Sequence, residues 1–153
     1  YYDLIIVDST DPVGPAEGLF TKDFYKDVYS CLKPDGIMVT QSESPRFNQQ
    51  VFSDIQQCYQ EIFGRSHVHP YLAYIPTYPS GMWSFSFCSK GSIHPINDFQ
   101  QSRAEGFLQH YQLSYYTPMI HQSAFVLPGF VQSLLPQQQT KQEGIKKEPR
   151  IMQ

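Results

Sequence analysis

The sequence predicts an α/β fold, on three observations. Leu4-Ile5-Ile6-Val7 is a continuous apolar run without polar alternation, the pattern of a strand buried on both faces. A stretch with apolar residues at helical spacing follows, and then a second short apolar run, Ile37-Met38-Val39-Thr40. Strand, helix and strand in that order form, by default, a right-handed parallel unit.

Each element has its own signals. Directly behind the first strand stands Asp8-Ser9-Thr10-Asp11-Pro12-Val13-Gly14-Pro15. Two carboxylates three residues apart, stiffened by two prolines, make an acidic loop better suited to a cation than to a phosphate. It lies where the strand leaves the sheet, the end at which open α/β sheets bind ligands. The helix is predicted over Thr21 to Leu32, with Thr21 as N-cap and Phe24, Val28, Cys31 and Leu32 on its inner face. Lys33-Pro34-Asp35-Gly36 is its stop. Beyond the second strand, Gln41-Ser42-Glu43-Ser44 falls at the same end of the sheet as Asp8.

Val51, Ile55, Cys58 and Ile62 trace one face of a second helix from Asn48 to Phe63, closed by Gly64. His67-Val68-His69 and Leu72-Ala73-Tyr74-Ile75 predict a third strand region interrupted by Pro70. Pro76-Thr77-Tyr78-Pro79-Ser80-Gly81 reads as a rigid loop, and Met82 to Cys88 alternates strictly enough to be a strand with one covered face. These last two strands are expected to pair antiparallel. Residues 89–99 read as a connection, with helices expected near Arg103 to Leu113 and Gly129 to Leu135 and with Ala124-Phe125-Val126-Leu127-Pro128 packed between them. The segment after Pro136, almost free of apolar side chains, is expected to be disordered.

Composition bounds the function. With 41% hydrophobic and 15% aromatic residues, the 153-residue chain can build a core, whereas a net charge of −3 lacks the basic field of a nucleic-acid binder. Cys31, Cys58 and Cys88 are widely spaced and read as reduced, packed thiols. No apolar segment reaches the roughly 20 residues that span a bilayer, and no signal sequence precedes the first strand, so a cytoplasmic location is expected. The chain opens at Tyr1 and enters a buried strand at once, which reads as a fragment whose amino-terminal part is absent.

Tyr2-Asp3-Leu4-Ile5-Ile6-Val7-Asp8-Ser9-Thr10-Asp11-Pro12-Val13-Gly14-Pro15-Ala16, then Leu19-Phe20, then Pro76-Thr77-Tyr78-Pro79-Ser80-Gly81, and His121 with Ala124-Phe125-Val126-Leu127-Pro128, closely resemble the spermidine synthases, a polyamine aminopropyltransferase family. The likeness runs from Tyr1 to about Leu135. It implies a Rossmann-like sheet of the methyltransferase type with an antiparallel edge strand, of which residues 1–135 are the second half and 136–153 a tail. It also implies transfer of an aminopropyl group from decarboxylated S-adenosylmethionine to putrescine, giving spermidine and methylthioadenosine, with no cofactor, no metal and a homodimeric full-length protein. By the same resemblance Asp8 is the proton acceptor, Asp11 and Tyr78 hold the diamine, Pro15 lines the thioadenosine pocket, and Ser9 and Thr10 complete the binding loop. The family's glycine-rich nucleotide loop and small amino-terminal β domain have no counterpart in these residues, so the fragment by itself is expected to be inactive.

Chemistry makes these assignments intelligible. An alkylamine attacks only when neutral, yet with a pKa near 10 it is protonated at neutral pH, so some group must take a proton. A carboxylate is a weak base unless its site shields it from water, which Asp8 would need at its strand end. The sulfonium is already a good leaving group, so orientation supplies much of the rate.

Plainer readings stand beside these. An Asp-x-x-Asp taken alone is usually a cap or a solvated turn, and a tyrosine between prolines usually packs. Glu43 reads as a helix-entry or surface glutamate, His121 as structural, and Trp83 as core. The alternatives are an aminopropyltransferase using spermidine or agmatine, an inactive interaction module that kept the fold, and an ordinary methyltransferase. The acidic loop disfavours the last, since it would repel the extra carboxylate of the undecarboxylated donor.

Overall fold

The computed structural model describes residues 1–8 and 21–137. Four strands form one sheet: β1 (Tyr2–Val7), β2 (Leu32–Gln41), β3 (Val68–Tyr74) and β4 (Met82–Ser89), in the order β1-β2-β4-β3. β1 and β2 run parallel, while β4 is antiparallel to both β2 and β3. Five α-helices accompany them among the described residues, α1 (Lys22–Cys31), α2 (Gln49–Phe63), α3 (Gln101–His110), α4 (Pro118–Ala124) and α5 (Gly129–Gln132), with a 3-10 turn at Arg65–His67. The α/β architecture is therefore as expected, and α4 adds a helix to which the sequence analysis assigned no definite structure. Among the described residues no helix is long and apolar enough to cross a membrane.

The core lies between α1, α2 and one face of the sheet. Tyr25 and Val28 of α1, Ile55, Tyr59 and Phe63 of α2, and Met38, Val68 and Cys88 of the strands are buried together, with Ile5 and Val7 packed against them. Tyr25 and Tyr59 meet edge-to-face at 4.7 Å between ring centroids, a favoured aromatic geometry. Thr21 caps α1 by accepting from the Phe24 N–H at 3.3 Å, and the Lys90 ammonium donates to the Tyr29 and Leu32 carbonyls at the other end.

Several expectations are corrected. β1 is not covered on both faces: Leu4 and Ile6, which share the face of Ile37 and Val39 in the parallel register, are exposed. Cys31 is exposed rather than packed, and Leu32 already belongs to β2. Lys33 to Gly36 is an outward bulge within β2, since Tyr2 pairs with Leu32 but Leu4 with Ile37. Pro70 does not interrupt β3, because β3 pairs with β4 alone among the described strands and an outer strand tolerates the missing N–H.

β4 reverses its expected polarity. Both faces are covered, and the more deeply buried one carries Ser84, Ser86 and Cys88 rather than the aromatics. Small side chains let α2 approach closely, and their hydroxyls are satisfied there: Gln56 Nε2 donates to Ser86 Oγ at 2.7 Å, and Ser42 Oγ lies 2.8 Å from it. On the other face Tyr71 stacks on Phe85 and meets Phe125, just past α4. His121 is fixed by contacts: its Nε2 lies 2.8 Å from the Pro95 carbonyl and its ring stacks on Phe99.

Candidate active site

The parallel register of β1 and β2 sets their carboxyl ends side by side, and a cavity of about 530 Å³ opens there. Ile6 of β1 and Asp8 just beyond it, Gln41 from β2, Tyr78 and Pro79 from the loop after β3, and Trp83 from β4 all contribute to its wall. Asp8 and Tyr78, seventy residues apart in sequence, therefore share one cavity. Asp8 is exposed, not shielded as its expected chemistry would require. Ser9, Thr10, Asp11 and Pro15 lie outside the described residues.

The loop that carries Tyr78 is held by its own backbone. Ile75 N–H donates to the Gly81 carbonyl, Tyr78 N–H to the Ile75 carbonyl, and Gly81 N–H to the Tyr78 carbonyl, at 2.8, 3.0 and 2.9 Å. Gly81 has φ +66°, and a Cβ there would stand 2.6 Å from the Tyr74 ring, so both conformation and space demand glycine. Pinned this way, the Tyr78 ring meets Trp83 edge-to-face at 4.6 Å.

Behind the cavity, the polar run after β2 is buried. Gln41 Oε1 accepts from Trp83 Nε1 at 2.8 Å and from the Glu43 N–H at 3.1 Å. Glu43 is only 1% exposed, which corrects its reading as a surface glutamate. Its φ of +69° is in the left-handed region that a glutamate seldom occupies, and such strain concentrates at functional sites. Its Oε2 accepts from Asn48 Nδ2 at 2.8 Å, while Oε1 has no hydrogen-bond partner among the described residues. Ser84 holds the strained backbone from below, its hydroxyl donating to the Glu43 carbonyl at 2.6 Å.

Sequence reasoning missed Gln41 and Trp83 as cavity residues. A signal existed for the first, since its position at the end of β2 matches that of Asp8 at the end of β1. Trp83 gave none, because the alternation of β4 describes it equally well as a core aromatic.

An open α/β sheet with a cavity at the carboxyl ends of its parallel strands has the architecture of a Rossmann-like protein, in which that end is the usual place for a ligand. The relatives narrow this. A family model for the spermine/spermidine synthase domain matches residues 1–101. The polyamine aminopropyltransferase of Moorella thermoacetica is 49% identical over 135 residues, covering 88% of this chain and 44% of that protein. That of Clostridioides difficile is 47% identical over 136 residues, covering 88% and 46%. Among solved structures, a spermidine synthase in complex with the transition-state analogue AdoDATO superposes with TM-score 0.81 at 39% identity, over 87% of this chain and 44% of that one. The spermidine synthase of Thermotoga maritima gives 0.78 at 38% identity, over 87% and 43%. The chain belongs to the spermine/spermidine synthase family, and it spans somewhat less than half the length of these relatives.

Proposed function

We propose that this chain is the carboxyl-terminal part of an aminopropyltransferase that moves the aminopropyl group of decarboxylated S-adenosylmethionine onto putrescine. What supports this reading most is the shared cavity of Asp8 and Tyr78 at the ends of two parallel strands. In the reaction the neutral amine attacks the aminopropyl carbon next to sulfur. A C–N bond forms, the C–S bond breaks with its electron pair going to sulfur, and methylthioadenosine leaves as a neutral thioether. The proton lost by the nitrogen passes to the Asp8 carboxylate. Asp11 and Tyr78 hold the diamine by charge and by hydroxyl, Ser9 and Thr10 complete the loop, and Pro15 faces the nucleoside. The chemistry calls on no cofactor or metal, and the full-length protein is proposed to act as a cytoplasmic homodimer.

The chain alone is proposed to be inactive, because no described or quoted segment offers the glycine-rich backbone cradle that a nucleotide-like donor needs. A chimera settles both points: the amino-terminal half of the Moorella relative joined to this chain, assayed with decarboxylated S-adenosylmethionine and each of putrescine, spermidine and agmatine. Spermidine formed from putrescine by the chimera, with none formed by the chain alone, is the expected result. Asp8→Asn in the chimera lowers turnover by about 10²–10⁴-fold, as expected for loss of a general base. Unchanged turnover in that variant removes Asp8 from the role, and a preference for agmatine or spermidine overturns putrescine as acceptor.

A further inference from the structure

The diamine site proposed above has a wall whose geometry is set by one side chain that the chemistry does not use. Trp83 stands at the start of β4, its indole N–H 2.8 Å from Gln41 Oε1 and its ring 4.6 Å from that of Tyr78. Gln41 Oε1 receives a second donor, the Glu43 N–H at 3.1 Å, so both lone pairs of that oxygen are engaged. An amide held in this way has one orientation: turned over, it would set an NH2 group against two N–H donors in a site only 6% exposed. Tyr78 is 45% exposed, and among the described residues Trp83 is the aromatic ring it meets.

We propose that Trp83 is a positioning residue for the diamine, acting through the Gln41 amide by its N–H and through Tyr78 by its ring. With the Gln41 oxygen committed to Trp83 and Glu43, the Asp8 carboxylate and the Tyr78 hydroxyl are, among the described cavity residues, acceptors still open to an ammonium group. Trp83 thereby directs the ammonium toward Asp8 and away from the amide. The inference rests on the acceptor-site reading, and it assigns to Trp83 no contact with the reacting atoms.

The test uses the chain as it is. Trp83 is the only tryptophan in the sequence, so its indole N–H is a single resonance in a ¹H–¹⁵N spectrum. That proton is expected to exchange slowly with solvent and to shift when 1,4-diaminobutane is added. Trp83→Phe is expected to weaken diamine binding about fivefold through lost preorganisation. Trp83→Phe made in a Gln41→Leu background is expected to add much less than it does alone, because the two act through one bond. A purely structural tryptophan would lower the melting temperature without changing diamine affinity.

Outcomes separate cleanly. Binding that depends on Asp8 but is unmoved by Trp83→Phe overturns the role of Trp83 and leaves the site reading standing. No shift of any resonance with about 10 mM diamine, some 2.7 kcal/mol of binding at most, overturns the site reading and this inference with it. Should Trp83→Phe not fold, the wild-type indole decides: a freely exchanging N–H overturns the proposal.

Discussion

The two outer strands of the described sheet differ in how they are built for that position. β3 carries Pro70, a residue suited to an outer strand, and its inward face is closed by α4 and Phe125. β1 carries no proline or lysine and presents Tyr2, Leu4 and Ile6 at 61%, 51% and 67% exposure, on the face opposite α1 and α2. Its Ile5 and Val7, one residue away on the other face, are packed under the helices. An apolar parallel strand that the described residues leave open on one face and one edge suits further neighbours, whereas β3 suits a boundary. The lesson is that exposure in this chain distinguishes surfaces built to be final from surfaces built to be covered.

The sharpest way to break the comparison is to attack the face that both strands share. Met38 lies on the α1–α2 side and is wholly buried. Met38→Ala is expected to cost about 2–5 kcal/mol in chemical denaturation of the chain, the range for a buried large-to-small change. A cost under about 1 kcal/mol would mean that the helix-covered face is not a packed core.

A smaller effect separates the β3 side by pH. Burial first, and then the neighbouring His94 and His67, lower the pKa of His69 to about 4; the His94 ring centroid lies 4.3 Å away and that of Phe87 6.2 Å. The folded value lies below the unfolded value near 6.5, so the fold favours the neutral ring. Its contribution is complete above about pH 6.5 and is lost as pH falls from there toward 4. Because the ring is only half-buried, solvent screening limits the loss to the order of 1 kcal/mol. His69→Gln should flatten this part of the stability profile; an unchanged acid limb removes His69 as its source.

The smallest effect on stability falls on the bare flank. Leu4→Thr in the isolated chain is expected to change unfolding free energy by less than about 0.5 kcal/mol, because the leucine is already half in water. Self-association in sedimentation should fall, since less apolar edge is offered to another copy. In the chimera the same substitution should cost more than in the chain alone. Equal costs in both backgrounds would mean that β1 is a true boundary like β3.

Local chemistry made much of this legible in advance. Thr21 caps α1, Gly64 ends α2, and the strand-end position of Asp8 was readable from an apolar run followed by an acidic loop. Helical periodicity placed α2 nearly to the residue, as Asn48 to Phe63 against Gln49–Phe63. The departures that matter for the surface and the core concern partners. Cys31 sits at core spacing on α1 yet borders an open hollow beside β1 that no described residue fills, and no periodicity rule reports whether a neighbour is there. Ser84 and Ser86 read as the solvent face of β4 because their hydroxyls are polar, but Gln56, Ser42 and the Glu43 carbonyl satisfy them inside.

By itself, then, the sequence determined the α/β class, the order of the elements, and the two segments that carry Asp8 and Tyr78, because caps, breakers and apolar periods act over a few residues. The tertiary structure alone decided that these two side chains share a cavity, that Gln41 and Trp83 stand in its wall, and that Glu43 is buried beneath it. Those facts depend on strand register and on which element packs across which face, and such long-range pairings leave no periodic trace in any one segment.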